Sequence, residues 1–205
     1  MFTGLVETQA TVMNIVPEQA GKRFILSRPA TFDDLKLGDS VAINGCCLTV
    51  VGLESERMEF QAGRETLLRT TLDRQRIGSR LNCERAMRLG DRVGGHLVSG
   101  HIDGIGSVSK RTDDDQWSTI YFQAPAMLMR QMVSKGSIAV DGTSLTLVDV
   151  NDTQFSVALI PHTLDVTTLG QLRAGDPVNL ETDLLAKYVQ RQLDTTRFSG
   201  EGNIL

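Results

Sequence analysis

The chain is poor in aromatic residues and its charges nearly cancel. Phe, Trp and Tyr make up 5% of the 205 residues, and the formal net charge is −4. Proteins that bind nucleic acids carry a basic surface, and those that bind single strands add aromatic side chains on which bases stack. The composition supplies neither feature, so we expect no nucleic-acid partner.

Long apolar runs are missing as well. No stretch of the sequence approaches the ~20 apolar residues with which a helix spans a bilayer. The first ten residues, MFTGLVETQA, have neither the basic start nor the apolar centre of a signal peptide. We therefore expect a cytoplasmic protein with no membrane association.

Cysteine and histidine are scarce, with three residues of each. Cys46 and Cys47 are adjacent, so in a strand their side chains diverge and a bridge between them is disfavoured. No CxxC or HExxH pattern occurs, and His96 and His101, five residues apart, fall on opposite faces of a strand. These features predict free thiols in a reducing compartment and no metal site.

A repeated phrase is the main positive feature. NGCCLTV begins at Asn44 and DGTSLTL begins at Asp141, an offset of 141 − 44 = 97 residues. The same offset relates ETLLRTTL to HTLDVTTL and GSRLNCE to GDPVNLE, while FTGLVE and VSGHID lie 96 residues apart. Matches in the same order and nearly one register indicate a duplicated domain. We assign residues 1–97 to the first copy and 98–187 to the second.

Each copy has the pattern of short strands separated by Gly, Asp and Asn. The NG and DG pairs predict a tight turn that divides the third apolar run into two strands. Many antiparallel strands in so few residues favour a small closed barrel, because closure leaves no strand edge exposed. The fold prediction is therefore all-β, with two tandem homologous barrels.

The chain after Asp183 belongs to neither copy. LLAKYVQRQLDTT places Leu185, Val189 and Leu193 at helical spacing, which predicts one helix near residues 184–195. We expect the segment 184–205 to serve oligomerisation, with a frayed tail from Arg197 onward. Two shorter segments, TLLRTTLDRQRIG and TLDVTTLGQLRAG, are expected to form helical turns before the last strand of each copy.

Polar side chains share one face of the repeated strand. Cys47 and Thr49 alternate with their neighbours, and the second copy has Ser144 and Thr146 at the matching positions. Cysteine is most often a small buried apolar residue, which is the alternative interpretation of Cys47. The replacement by Ser in the second copy favours a hydrogen-bonding face instead.

The two copies differ in one titratable residue at their starts. His101 stands where the first copy has Leu5, although a histidine in an exposed linker would give the same pattern. Lys135 and Asp183, taken alone, are typical of solvated surface. Two similar polar pockets with unequal groups suit a reaction that uses two copies of one substrate.

Five motifs together, MFTGLVE, NGCCLTV, GGHLVSGHIDG, DGTSLTL and LIPHTLDVTTLG, resemble the riboflavin synthase family of the α-subunit type. The resemblance extends from Met1 to about Leu193. It implies two six-stranded Greek-key barrels and a C-terminal helix that assembles a homotrimer. The implied reaction is the dismutation of two molecules of 6,7-dimethyl-8-ribityllumazine, bound in one active site, by transfer of a four-carbon unit. The products are riboflavin and 5-amino-6-ribitylamino-2,4-pyrimidinedione.

The resemblance further implies that no metal and no cofactor takes part. It places the active site between the N-terminal barrel of one subunit and the C-terminal barrel of another. Association with a lumazine synthase capsid occurs in some members of the family and stays open for this chain. Two rival functions are a non-catalytic lumazine- or flavin-binding antenna protein and a flavin-dependent oxidoreductase. The second would need a nicotinamide-binding domain, for which the chain has no room.

Matching the family motifs residue by residue gives two substrate pockets. The first pocket comprises Gly4, Leu5, Val6, Cys47, Leu48, Thr49, Gln61, Ala62, Gly63, Arg64, Glu65 and Thr66. The second comprises Gly100, His101, Ile102, Lys135, Ser144, Leu145, Thr146, Ala158, Leu159, Ile160, Pro161, His162 and Thr163. Phe2, Ser40 and Asp183 match further positions near the chemistry. Arg64 departs from the pattern, because the second copy has Pro161 at that place.

The implied catalytic set is Phe2, Ser40, Cys47, His101, Ser144, Thr146 and Asp183. His101 titrates near neutral pH and is suited to proton transfer. Ser144, Thr146 and Cys47 supply hydroxyl and thiol groups for nucleophilic addition or hydrogen bonding. Which group adds to the acceptor lumazine stays open, and water is one candidate.

Overall fold

The first half of the chain forms a closed six-stranded barrel. The computed structural model describes the backbone of residues 1–200 and the side chains of residues 1–195. The strands are β1 Thr8–Glu18, β2 Gly21–Ser27, β3 Ser40–Ile43, β4 Cys46–Leu53, β5 Arg57–Gly63 and β6 Arg80–Arg85. They close in the order β1-β2-β5-β4-β3-β6 with antiparallel neighbours, which is a Greek-key arrangement.

The second half repeats this barrel. Its strands are β7 Gly104–Asp114, β8 Trp117–Gln123, β9 Ser137–Val140, β10 Thr143–Val150, β11 Gln154–Leu159 and β12 Pro177–Thr182. Starting from β7, the closed order β7-β8-β11-β10-β9-β12 reproduces that of the first barrel. The predicted all-β fold with two tandem barrels is confirmed.

Each half has a short helix and a 3₁₀ turn before its last strand, and the second half has one further helix. In the first, α1 Arg64–Arg69 and a 3₁₀ turn, Thr71–Arg74, lie between the last two strands. In the second, α2 Ala126–Met129 precedes β9, and α3 Pro161–Val166 is followed by a 3₁₀ turn, Thr168–Gln171. The helix predicted after Asp183 is present as α4 Leu184–Gly200. Fraying was predicted from Arg197 onward, but the backbone of residues 197–200 belongs to α4, and residues 201–205 lie outside the described residues.

The repeated NG and DG pairs make the predicted tight turns. Asn44 and Asp141 both have φ 44°, and Gly45 and Gly142 have φ 78° and 79°. Both central residues of a type I′ turn need positive φ, which Asn, Asp and Gly tolerate best. The turns divide each long run into β3 with β4 and β9 with β10, as the sequence indicates.

Alternation along β4 and its counterparts separates a core face from an outer face. Cys46 and Leu48 point into the first barrel, whereas Cys47 is half-buried and Thr49 is exposed. Each barrel has its own core, which includes Phe24, Phe60 and Met58 in the first and Phe122, Phe155 and Ile120 in the second. Since each barrel buries its own apolar residues, the polar outer faces are free to build a site.

A buried polar network joins the barrels. The Asn82 amide donates to the Asp141 carbonyl (2.9 Å), and the Asn179 amide donates to the Asn44 carbonyl (2.8 Å). Within each barrel, the Asn44 side chain accepts from the Asn82 N–H (2.7 Å) and the Asp141 side chain accepts from the Asn179 N–H (2.8 Å). The network is two-fold symmetric except that one amide is replaced by a carboxyl. Burial raises the pKa of Asp141 to about 7.

The exchange Asp141→Asn is expected to stabilise the protein above neutral pH. A carboxyl whose pKa is raised by folding loses stabilisation as pH rises from its unfolded value near 4 to its folded value near 7. Asparagine accepts the same N–H bond without becoming charged, as Asn44 does in the other barrel. Denaturant unfolding should show the variant more stable than the parent by about 1–3 kcal/mol at pH 8 and by less at pH 5. A variant less stable at pH 8 would contradict this account, and Asn44→Asp is the reverse control.

Candidate functional site

The segment that precedes each barrel crosses to the other barrel. The carbonyl of Gly4, before β1, accepts the Ser144 N–H of β10 at 2.8 Å, and the carbonyl of Gly100, before β7, accepts the Cys47 N–H of β4 at 2.8 Å. Gly4 and Gly100 have φ 74° and 81°. A Cβ atom at either glycine would lie 2.6 Å from the Cβ of Ser144 or Cys47. Glycine is therefore required at both positions by conformation and by close approach.

This crossing exchanges the walls of the two predicted pockets. Sequence similarity grouped Gly4 to Val6 with Cys47, and Gly100 to Ile102 with Ser144. The structure instead sets Gly4 against Ser144 and Gly100 against Cys47. Ile102 follows the exchange and packs on the core of the first barrel. The grouping by copy is corrected, because the segments lie on the opposite barrel, and His101 is not brought to Ser144.

The residues predicted for the first pocket thus lie on β4, at the end of β5 and, from the other copy, on the segment around His101. Cys47 is half-buried and Thr49 and His101 are exposed. Cys47 also packs against Phe2 and Ala42 in a small apolar cluster between the barrels, where Phe2 is fully buried. Leu48 and Ala62 point into the barrel core, so only their backbone is available to a ligand. Gln61, Gly63 and Glu65 are exposed and Thr66 is half-buried.

Arg64 keeps the shape of this pocket although it departs from the family pattern. α1 begins at Arg64 and α3 begins at Pro161, and both helices have six residues. The Arg64 guanidinium reaches the Gln19 carbonyl, at 3.2 Å, on the turn between β1 and β2. The departure therefore changes the charge of the loop and leaves its backbone course intact.

The residues predicted for the second pocket lie on β10, at the end of β11 and, from the other copy, on the segment around Leu5. Ser144 and Leu145 are half-buried and Thr146 is exposed. Leu159 is buried in the barrel core, whereas the remaining predicted residues of the loop, Ala158, Ile160, Pro161, His162 and Thr163, are exposed or half-buried. Lys135 is exposed with φ 69°, and Asp183 caps α4 by accepting the Leu185 N–H at 2.9 Å. Ser40 is the cross-strand partner of Thr49 in the β3–β4 pair, and it lines a cleft of about 980 Å³ together with Leu5 and Arg85.

Sequence reasoning missed His96, which lies beside the predicted site residue Ser144. Its ring Nδ1 lies 2.7 Å from the Ser144 Oγ, and its backbone N–H donates to the Thr3 carbonyl at 3.1 Å. The sequence analysis considered His96 only as a metal ligand, although the motif GGHLVSGHIDG contains it and was the available signal. Burial lowers the pKa of His96, opposed by the negative charges of Asp183 and Glu181.

The Nε2 atom of His96 is buried and has no hydrogen-bond partner among the described residues. If Nδ1 accepts the Ser144 proton, Nε2 carries a hydrogen and is free to donate to a ligand. The lowered pKa keeps the imidazole neutral at neutral pH, which is the form that accepts a proton from the hydroxyl. The pair has the composition of a serine activated by a neighbouring base.

Two buried carboxylates also escaped the sequence analysis. Glu84 ends the matched phrase GSRLNCE and Glu181 ends GDPVNLE. Glu84 accepts three hydrogen bonds from Thr3 and Gly4, and Glu181 accepts three from Ser99 and Gly100. Their recurrence in both copies was the available signal.

The described residues hold no group of three or more His, Cys, Asp or Glu side chains arranged for a metal ion. Over the same part of the chain, no helix has both the length and the apolar character needed to cross a bilayer. The three cysteines are free thiols, and burial raises the pKa of Cys46 and Cys83 to about 12. The half-buried Cys47 is the thiol that a pocket ligand could meet.

The chain is similar in sequence and fold to known proteins. The family described as lumazine binding domain matches residues 3–86 and again residues 99–183. The riboflavin synthase of Actinobacillus pleuropneumoniae is 39% identical over 193 residues, which cover 94% of this chain and 90% of the relative. That of Mycobacterium tuberculosis (strain ATCC 25618 / H37Rv) is 43% identical over 195 residues, covering 93% and 97%.

A solved structure, LumP complexed with riboflavin, superimposes with a TM-score of 0.82 at 26% identity. It covers 89% of this chain and 99% of LumP. Fold, repeat and sequence therefore agree, and the chain belongs to the riboflavin synthase family, with two lumazine binding domains in tandem.

Proposed function

We propose that the chain converts two molecules of 6,7-dimethyl-8-ribityllumazine into riboflavin and 5-amino-6-ribitylamino-2,4-pyrimidinedione. A four-carbon unit leaves one lumazine and joins the other, so the enzyme is a transferase. Membership of the family and the name carried by its curated relatives support the proposal. The free thiols support a reducing, cytoplasmic location.

The observation that carries this proposal is a pair of equivalent pockets with unlike chemical groups. Two identical substrates need two pockets of similar backbone geometry, and the two equivalent barrels provide them. Donor and acceptor play different roles, and the pockets differ accordingly. One combines Cys47 with the His101 segment, and the other combines Ser144 with His96.

Proton transfer in this reaction begins at the substrate. The lumazine ring is electron-poor, so its C7 methyl group loses a proton to a modest base and the resulting carbanion attacks the second ring. Neutral His96, through Ser144, fits the more demanding proton transfer, because its pKa is lowered and its Nε2 is unpartnered among the described residues. Holding the two flat rings stacked in register lowers the entropic cost of bringing the two substrates together.

A homotrimer, as the family resemblance implies, would bring the first barrel of one subunit to the second barrel of another. α4 supports self-association, because Leu185, Tyr188, Val189 and Leu193 are all exposed on it. Lys187 ties the same helix to the second barrel through Asp103 at 2.7 Å. A helix anchored on one side and apolar on the other is suited to contact a second copy.

Incubating the purified protein with 6,7-dimethyl-8-ribityllumazine alone should produce riboflavin, at one riboflavin for each two lumazines consumed. Absorbance and chromatography would measure both compounds. Stable binding without turnover would support the antenna function, which the likeness to riboflavin-bound LumP makes the second candidate. A need for an added oxidant or nicotinamide would contradict dismutation.

Replacing either member of the Ser144–His96 pair should impair turnover more than binding. We expect Ser144→Ala and His96→Gln each to lower kcat by about ten- to a thousandfold, the range for a positioned acid–base group. Since the pKa of His96 lies below its ordinary value, kcat of the parent should fall on the acid side only below about pH 6.5. His96→Gln should remove that limb of the profile.

The control for this pair is Ser55→Ala, which changes an exposed serine in the turn between β4 and β5. Its kcat and its pH profile should match the parent. Cys47→Ser should be milder than Ser144→Ala, because serine performs the equivalent task in the second copy. Near-normal turnover of Ser144→Ala with an inactive Cys47→Ser would reverse the roles of the two pockets.

Ending the chain after Asp183 should abolish the trimer and leave folded barrels. The barrels contain their own cores, and the exposed residues of α4 contribute to neither. Sedimentation should give a monomer, and far-ultraviolet circular dichroism should retain the strand signal. A truncated chain that still sediments as a trimer would show that the barrels themselves form the main contact.

A further inference from the structure

Two buried carboxylates occupy equivalent places in the last strand of each barrel. Glu84 in β6 is 6% exposed and Glu181 in β12 is 1% exposed. The chemistry described above uses neither as an acid or a base. A buried carboxylate is costly unless several donors compensate it, so its partners indicate its purpose.

Those partners belong to the segments that cross between barrels. Glu84 accepts from the Thr3 N–H (2.7 Å), the Thr3 hydroxyl (2.8 Å) and the Gly4 N–H (3.1 Å). Glu181 accepts from the Ser99 N–H (2.7 Å), the Ser99 hydroxyl (2.7 Å) and the Gly100 N–H (2.9 Å). In each set both carboxylate oxygens are used, and both sets bind the same two positions of the repeat.

Each crossing glycine is therefore held from two sides. The Gly100 N–H binds Glu181 of the second barrel, while the Gly100 carbonyl accepts the Cys47 N–H of the first. The Gly4 N–H binds Glu84 of the first barrel, while its carbonyl accepts the Ser144 N–H of the second. A carboxylate in one barrel thus fixes one wall of the pocket on the other barrel.

We propose that Glu84 and Glu181 are positioning residues that act across the barrel interface. Glu181 orders the His101 wall of the pocket that contains Cys47, and Glu84 orders the Leu5 wall of the pocket that contains Ser144. The positioning of the two segments rests on the hydrogen bonds described above. Its consequence for ligands rests on the proposed function.

The substitutions Glu84→Gln and Glu181→Gln remove the carboxylate charge and one acceptor oxygen while keeping the size of the side chain. An amide has one acceptor oxygen, and its NH₂ group would face a glycine N–H that now has an acceptor. Leaving that buried donor unpaired loosens the segment, while the remaining oxygen can still bind Ser99 or Thr3. Ser99→Ala and Thr3→Ala remove only one hydroxyl each and serve as milder variants should a glutamine variant fail to fold.

Cys47 reports on its own pocket without any ligand. Cys46 and Cys83 are buried with pKa values of about 12, so an aromatic disulfide reagent in the native protein should react with the half-buried Cys47. Glu181→Gln should speed this reaction about tenfold, the effect of losing one charge-assisted hydrogen bond. Glu84→Gln, although it lies in the same barrel as Cys47, should leave the rate within about twofold of the parent.

A thiol at position 144 reports on the other pocket, where the expected effects of the two glutamine variants are exchanged. In a chain carrying Cys47→Ser and Ser144→Cys, the new thiol lies against Gly4. Here Glu84→Gln should speed the reaction about tenfold, and Glu181→Gln should leave it within about twofold. Ser99→Ala and Thr3→Ala should follow Glu181→Gln and Glu84→Gln in the same crossed pattern, with smaller changes.

Equal acceleration of both reporters by either variant, or acceleration only within the same barrel, would overturn the inference. Riboflavin titration followed by fluorescence quenching separates this result from the proposed function. Crossed thiol rates without riboflavin binding would leave the positioning intact and refute the ligand assignment. Riboflavin binding with uncrossed thiol rates would refute the positioning alone.

Discussion

The close approach of two tight turns sets the relation between the barrels. A Cβ atom on Gly45 would lie 2.7 Å from the Gly142 nitrogen, and one on Gly142 would lie 2.7 Å from the Gly45 nitrogen. No side chain fits there, so the two turns meet backbone to backbone about a local two-fold axis. The amide bonds of Asn82 and Asn179 span the same contact. The strands β4 and β10, which follow these turns, are the ones that receive the crossing segments at Cys47 and Ser144.

The contact between the two glycine turns places the strands that carry Cys47 and Ser144. With the turns in register, the strands β4 and β10 present Cys47 and Ser144 to the opposite barrel, where a glycine carbonyl completes each ladder. The residue after each glycine is Leu5 in one segment and His101 in the other, and both are exposed beside the strand that the segment has joined. Chemical inequality between the pockets thus arises from single-residue differences on an otherwise symmetric frame.

The sequence predicted the barrels well, because strand alternation, NG and DG turns and the repeat offset are local signals. The crossing was not predictable from the sequence. The same repeat is compatible with segments that stay on their own barrel and with segments that exchange. His96 lies in the motif GGHLVSGHIDG but in none of the matched repeat phrases, so the comparison of the two copies gave it no role. Glu84 and Glu181 were within matched phrases, but a charged residue near a strand end ordinarily indicates solvated surface. Burial and partner geometry, which only the fold supplies, distinguished them.

Joining the two copies in one chain has a stoichiometric consequence. Two separate copies of a single-barrel protein could pair through the same glycine turns and exchange the same segments, but both pockets of such a pair would be identical. Covalent linkage allows the halves to diverge and guarantees one pocket of each kind in every molecule, at any concentration. A reaction that distinguishes donor from acceptor is thereby supplied with a fixed one-to-one ratio of unlike sites, independent of gene expression or assembly equilibria.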